Sequence, residues 1–315
     1  MRRFTDIAPP PLAATYPPRN PGQALDPQWL NGVQVDEPAI AAEAAEIEAS
    51  CADAGPHHAA WLIRAIQCMD LTTLSGDDTP ARVQALCETA RAPLPADLAE
   101  KYGAGGLTVG AVCVYHAMIP AALAALEGSD IPVAVVSAGF PAGLSSPRAR
   151  VIEVEDSVAA GAKEIDIVVP RYLALSGDWG ALYDDIRALR MACGDAHLKC
   201  ILSVGELGDL TTVARAALTA MMAGADVVKT STGKEATNAT LPTALAMLDT
   251  IQAYHQATGL RIGFKPAGGI STARAALPYM AATHARLGPE WLQPTLFRFG
   301  ASSLLKDIRA TLAAS

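Results

Sequence analysis

The chain has 315 residues, 51% of them hydrophobic, with a mean hydropathy of +0.23 and a formal net charge of -8. That is enough apolar chain to bury a substantial core, and it suits one α/β barrel of about 250 residues plus an extension. An acidic chain without a basic cluster is a poor partner for nucleic acid or an anionic membrane surface. No apolar run reaches the ~18 residues of a membrane span.

The first thirty residues hold Pro9, Pro10, Pro11, Pro17, Pro18, Pro21 and Pro27. Proline removes backbone donors and fixes φ, so an irregular arm is expected, a tail without fixed structure. Met1-Arg2-Arg3 is basic, but no apolar run follows, so neither a secretory signal nor a twin-arginine leader is expected. A helix should begin after Asp36, an N-cap candidate with Pro38 in the first turn, and run to about Ser50. A second helix is expected over 57–67. Residues 1–60 are thus read as an arm and helical extension, and 61–315 as the main domain.

From Cys68 onward short apolar runs alternate with amphipathic stretches. The runs cover 68–72, 107–115, 132–140, 164–170, 198–205, 225–231, 261–268 and 296–302. Helical patterns lie between them, for example over 78–90, 178–193, 210–223 and 241–254. Such alternation argues for a parallel sheet with helical crossovers. Eight units favour closure into a (β/α)8 TIM barrel over an open sheet. No G-x-G-x-x-G follows the first strand, which weakens a dinucleotide-binding reading.

Side chains alternate faces along a strand. In the fourth run Ile165, Ile167 and Val169 share one face and Asp166 takes the other. In the seventh, Ile262 and Phe264 oppose Lys265; in the eighth, Phe297 and Phe299 oppose Gly300 and Ser302. The large apolar residues should meet the helices, and the polar ones should point into the barrel. Lys229 and Lys265 then lie near the ends of adjacent strands. Burying two ammonium groups together is costly, and the usual escape is a lowered pKa. An ordinary lysine at pH 7 is neutral in only about one molecule in 2,500. A neighbouring cation and an apolar pocket raise that fraction and create an amine nucleophile. Asp166 offers a carboxylate to balance the charge and relay protons. Lys199, at the start of the fifth strand, is a third inward cation. The competing reading is a structural ion network.

Glycines mark the ends of the last strands. Thr232-Gly233-Lys234 follows the sixth. Gly268-Gly269-Ile270-Ser271-Thr272 follows the seventh, and Gly300-Ala301-Ser302-Ser303 the eighth, each leading into a helix. Glycine lets backbone approach an anion, and helix N-termini aim N–H groups at it. Barrels often hold phosphate there, so these loops with Lys234 are expected to do so. The six histidines (57, 58, 116, 197, 255 and 284) are scattered, without metal-ligand spacing. His116 follows the second strand and could reach the mouth. Cys113 reads as a small core residue. The six cysteines (51, 68, 87, 113, 193 and 200) form no C-x-x-C pair and suit a reducing compartment, the cytoplasm.

These residues carry a resemblance. Gln67-Cys68-Met69-Asp70-Leu71-Thr72-Thr73-Leu74, Glu164-Ile165-Asp166-Ile167-Val168, Val228-Lys229-Thr230-Ser231-Thr232-Gly233-Lys234, Gly263-Phe264-Lys265-Pro266-Ala267-Gly268-Gly269 and Arg298-Phe299-Gly300-Ala301-Ser302-Ser303 resemble deoxyribose-phosphate aldolases, from about Trp61 to Leu305. Leu74-Ser75-Gly76-Asp77-Asp78-Thr79 and Gly139-Phe140-Pro141-Ala142-Gly143 resemble the longer, eukaryote-like branch. The resemblance implies reversible cleavage of 2-deoxy-D-ribose 5-phosphate to acetaldehyde and D-glyceraldehyde 3-phosphate. It makes Lys229 the Schiff-base lysine, Lys265 the second lysine and Asp166 the proton-relay aspartate. It places Asp70, Lys199, Thr232, Gly233, Lys234, Gly268, Gly269, Gly300, Ser302 and Ser303 around the phosphosugar. It implies no metal or organic cofactor, and a homo-oligomer of two copies or more.

Three positions depart from the pattern. Val204 stands where many members have threonine, and Ser271 where some have arginine, although the longer branch also has serine there. The chain ends Ala313-Ala314-Ser315, without the terminal tyrosine that assists proton transfer in many members, so slower protonation is expected. Two rival readings stay open: another lysine-dependent barrel aldolase acting on a keto-sugar phosphate, and a phosphosugar-binding protein without catalysis.

Overall fold

The computed structural model describes residues 3–12, 17–52 and 54–315; the reading of Met1 and Arg2 lies outside them. All eight apolar runs form strands, each shorter than its run. They are β1 (Met69–Thr72), β2 (Ala111–Tyr115), β3 (Val133–Val136), β4 (Glu164–Val168), β5 (His197–Ile201), β6 (Val227–Lys229), β7 (Gly263–Lys265) and β8 (Phe299–Ala301). Neighbours pair in parallel from β1 to β7, and β1 also pairs with β8. Parallel bridges Phe264↔Phe297 and Ala267↔Gly300 join β7 to the β8 segment and close the cylinder. The fold is a (β/α)8 barrel.

The helices start where the sequence supplies caps. The Asp36 carboxylate accepts from the Ala39 amide at the head of Glu37–Ser50, and Pro38 lies in its first turn. Thr79, Ser146, Asp178, Asp209, Thr240 and Thr272 cap later helices in the same manner. Strand parity holds. Ile165, Ile167, Val169, Ile262, Phe264, Phe297 and Phe299 join the large core shared with the helices. A separate small cluster of Ala111, Cys113, Ala134 and Val136 packs inside the barrel.

The proline-rich arm differs from its expectation. Over the described residues it is not a loose tail but an extended strap against the barrel helices. Phe4 is buried with its ring centroid 4.3 Å from that of Trp61. Asn20 is buried, and its amide donates to the Met221 and Ala225 carbonyls at 2.7 and 2.9 Å. The physical reason is that proline loses a donor but keeps its carbonyl. Side chains of the barrel reach out to the strap: Trp61 Nε1 to Ile7 O at 2.7 Å, Arg187 to Pro21 O at 2.8 Å, and the Tyr183 hydroxyl to Gln23 O at 2.8 Å. The strap leads to a helix at Pro27–Gly32 that Asp26 caps.

Candidate active site

β4, β5, β6, β7 and β1 each turn a charged side chain into the barrel. In register, Asp166 neighbours Lys199, and Lys229 neighbours Lys265. The result is one buried cluster. Lys229 Nζ donates to Asp166 Oδ2 at 2.8 Å, and Lys265 Nζ to the same oxygen at 2.7 Å. Lys199 Nζ donates to Asp166 Oδ1 and to Asp70 Oδ2, both at 2.9 Å. Lys265 also donates to Asp70. Asp166, Lys265, Lys229, Asp70 and Lys199, singled out from sequence, therefore meet at one place.

Two members were not singled out. Glu164 lies 2.6 Å from Lys199 Nζ, and Arg298 donates to Glu164 at 2.8 and 3.2 Å and to Asp70. Strand parity carried the signal for both. Glu164 is two residues before Asp166 on the same face, and Arg298 two before Gly300.

The environment acts differently on each group. Burial alone would raise the Asp166 carboxyl, but Lys199, Lys229 and Lys265 outweigh it and hold the group well below the usual carboxylate range. Burial would lower Lys265, yet Asp166 and Asp70 beside it leave its pKa raised; Lys199 is raised in the same way by Asp166, Asp70 and Glu164. Lys229 is lowered. Burial is the largest cause and the Lys265 cation adds to it, against the pull of Asp166. The expectation that both lysines escape by a lowered pKa is thus corrected: Lys265 touches two carboxylates and stays charged, while Lys229 touches one.

Above the cluster a cavity of about 370 Å³ opens at the C-terminal ends of the strands. Of the cluster, Lys229 lines it. So do Thr232, Gly233, Lys234, Gly268, Gly269, Gly300, Ser302 and Ser303. Gly268 and Gly269 have φ of +81° and +79°, and a Cβ on Gly268 would lie 2.5 Å from the Asn238 side chain. Here only glycine fits. At Gly300 a Cβ would meet the Ala267 Cβ at 2.7 Å and the Lys265 Cε at 3.4 Å. No side chain caps the helix Leu304–Ala314, whose first turn follows Ser302 and Ser303. Its amides can therefore serve an anion.

One loop is arranged in a manner the sequence did not disclose. The Glu235 carboxylate accepts from the Thr232 amide at 3.0 and 3.1 Å and from the Gly233 amide at 3.1 Å. These two amides already hold an anion of the chain itself. Lys234 Nζ reaches across the mouth to Leu74 O at 3.0 Å. His116 pairs with Ser157 at 3.0 Å and is not part of the cavity wall. Val204 is buried, its amide donating to Thr230 O at 2.9 Å, and Ser271 lines the cavity. Among the described residues no group of His, Cys, Asp and Glu could hold a metal ion, and no helix is long and apolar enough to cross a membrane.

Comparison with known proteins agrees with this fold. Residues 64–309 match the model of the DeoC/LacD family of aldolases. The chain is 50% identical over 293 residues to human deoxyribose-phosphate aldolase, covering 92% of each chain. It is 50% identical over 291 residues to the mouse protein of the same name, covering 91% of this chain and 92% of the other. The structure superposes on the tetrameric deoxyribose phosphate aldolase of Aeropyrum pernix with a TM-score of 0.61 at 23% identity, covering 81% of this chain and 93% of that one. That last likeness is one of fold. Over most of its length, then, this chain belongs to the DeoC/LacD family of aldolases.

Proposed function

We propose that this protein reversibly cleaves 2-deoxy-D-ribose 5-phosphate to acetaldehyde and D-glyceraldehyde 3-phosphate, with Lys229 as the nucleophile. The observation that carries this reading is the asymmetry among the three lysines on Asp166. Lys229 alone of the three lines the cavity, and it is the one whose pKa is pushed down. It combines access with a neutral fraction, the two requirements for an amine nucleophile.

The Lys229 amine adds to C1 of the open-chain sugar, and loss of water gives an iminium. A water held by Asp166 and Lys265 takes the proton of the C3 hydroxyl. The C2–C3 bond breaks, its electron pair moves into the iminium, and glyceraldehyde 3-phosphate leaves. The enamine takes a proton at C2. Hydrolysis then releases acetaldehyde and restores Lys229. Asp166 stays ionised and holds the Lys199 and Lys265 ammonium groups, and charged Lys265 is the proton donor at hand. Lys199 and Asp70 fix the lower side of Asp166 and Lys265. The phosphate lies against Gly268, Gly269, Ser302 and Ser303, with Lys234 facing it. Gly300 leaves room for Lys265, and Thr232 and Gly233 shape the wall.

Residues 61–315 would form the aldolase barrel, with 1–60 as an extension strapped to it. A cytoplasmic homo-oligomer of two or more copies completes the reading; the six free, buried thiols fit a reducing compartment, and sedimentation equilibrium tests the assembly. The decisive experiment for the chemistry is borohydride reduction in the presence of 2-deoxyribose 5-phosphate, followed by peptide mapping. A stable adduct on the peptide holding Lys229, absent in Lys229→Ala, is expected. Binding of the sugar phosphate without any adduct would overturn the reading.

A further inference from the structure

Among the described residues the charges of the buried cluster do not balance. Lys199, Lys229, Lys265 and Arg298 face Asp70, Glu164 and Asp166: four cations for three carboxylates, tied together by direct contacts. With Lys229 neutral, three stand against three. The cluster runs along the barrel axis. Lys229 and Lys265 are the last residues of β6 and β7, Glu164 is the first of β4, and Arg298 precedes β8. Arg298 and Glu164 sit at its lower end and bind each other, Asp70 and Lys199. The barrel makes room for that guanidinium: a Cβ on Gly110 would lie 3.1 Å from Arg298 Nε and 3.2 Å from its Cδ.

We infer that Arg298 and Glu164 are positioning residues that set, from the lower end of the barrel, the fraction of Lys229 present as the free amine. The inference rests on Lys229 being the nucleophile proposed above. In a medium of low dielectric a charge acts well beyond contact distance. An extra cation below disfavours a charged Lys229, and an extra carboxylate favours it. The groups around Lys229 leave this balance to the cluster. Asp166 on β4 and Lys265 on β7 face it directly, and Cys113 on β2 is uncharged at neutral pH. Lys199 on β5 and Asp70 on β1 act through Asp166 and Lys265. Lys234 lines the cavity rim and is the same in every variant below.

The test is the rate of borohydride trapping with 2-deoxyribose 5-phosphate across pH, which follows the amine fraction of Lys229. Arg298→Gln removes a cation, so the midpoint should move up by about one pH unit. Glu164→Gln removes a carboxylate and should move it down by a similar amount. The double variant removes one of each, keeps the excess of one cation, and should return to the native midpoint. Arg298→Lys keeps the charge and should not move it. If Arg298→Gln does not fold, the downward shift in Glu164→Gln and its reversal in the double variant still decide the matter. Merely structural residues would lower the trapping rate without opposite shifts, and that result overturns the inference while Lys229 remains the nucleophile. No adduct at any pH in the native protein would instead overturn the proposed function.

Discussion

On β2 and β3 the fully buried inward residues are Ala111, Cys113, Ala134 and Val136, small and apolar. On β1 and β4–β7 they include Asp70, Glu164, Asp166, Lys199, Lys229 and Lys265, joined to Arg298 from the start of the β8 segment, with Val168, Ile201 and Val227 filling the same face. Two sides of one barrel thus hold opposite kinds of matter. The charged side is expensive to bury and is repaid only by mutual contact, because an ion without a partner in such a place costs several kcal/mol. The small side is where the barrel saves volume. Long lysine side chains need room to cross the axis, and alanine on the facing strands leaves it. Charge on one wall and space on the other are therefore one arrangement.

The largest expected effect comes from the atom on which the charged wall converges. Asp166→Asn removes the carboxylate that Lys199, Lys229 and Lys265 share. Turnover should fall by about 10²–10⁴-fold, the range for loss of a group that manages protons. Breaking buried pairs should cost about 3–5 kcal/mol of stability. Steady-state kinetics and urea melts measure both. Turnover near that of the native protein would break the division between the two walls, since the charged wall would then have no chemical role.

A smaller effect should follow from filling the opposite wall. Ala134 pairs in register with Glu164, across from Cys113 on β2. Ala134→Leu should cost about 1–3 kcal/mol through overpacking. It should also slow the trapping of Lys229 by crowding the lysine side chains. Unchanged stability with unchanged trapping would mean that the small residues are not what gives the lysines their room.

Much of this was legible because it depends on period two. Parity along a strand put Asp166 and Lys265 inside and Phe264 and Ile165 outside, and the rhythm of apolar runs gave the eight strands. The same parity reaches Glu164, two residues before Asp166 on the same face. What period cannot give is distance. That Lys265 touches two carboxylates and Lys229 one depends on how closely β1 and β7 approach each other on either side of β8. It decides which of the two lysines has its pKa pushed down. Likewise, nothing in Thr232-Gly233-Lys234-Glu235 says that the last residue folds back on the amides of the first two. The arm was misread for a different reason. Prolines signalled missing donors, but the donors that hold it, such as Trp61, Tyr183 and Arg187, belong to distant helices.

The smallest effect is expected at Cys113, which lies on the apolar wall yet within the field of the charged one. Burial raises its thiol pKa, the Asp166 carboxylate raises it further, and the three lysines offset only part of this. The thiol is therefore protonated at neutral pH, and a protonated buried thiol acts as a small apolar filler rather than a nucleophile. Cys113→Ala removes one atom from a close-packed wall, which should cost about 1 kcal/mol. It takes no charge from the cluster, so the pH midpoint of Lys229 trapping should stay where it is. Urea melts and the trapping profile check the two statements separately. A folded Cys113→Ala variant with its midpoint displaced would place the thiol among the groups that govern Lys229, and the boundary between the two walls would then run between β2 and β3 rather than around both.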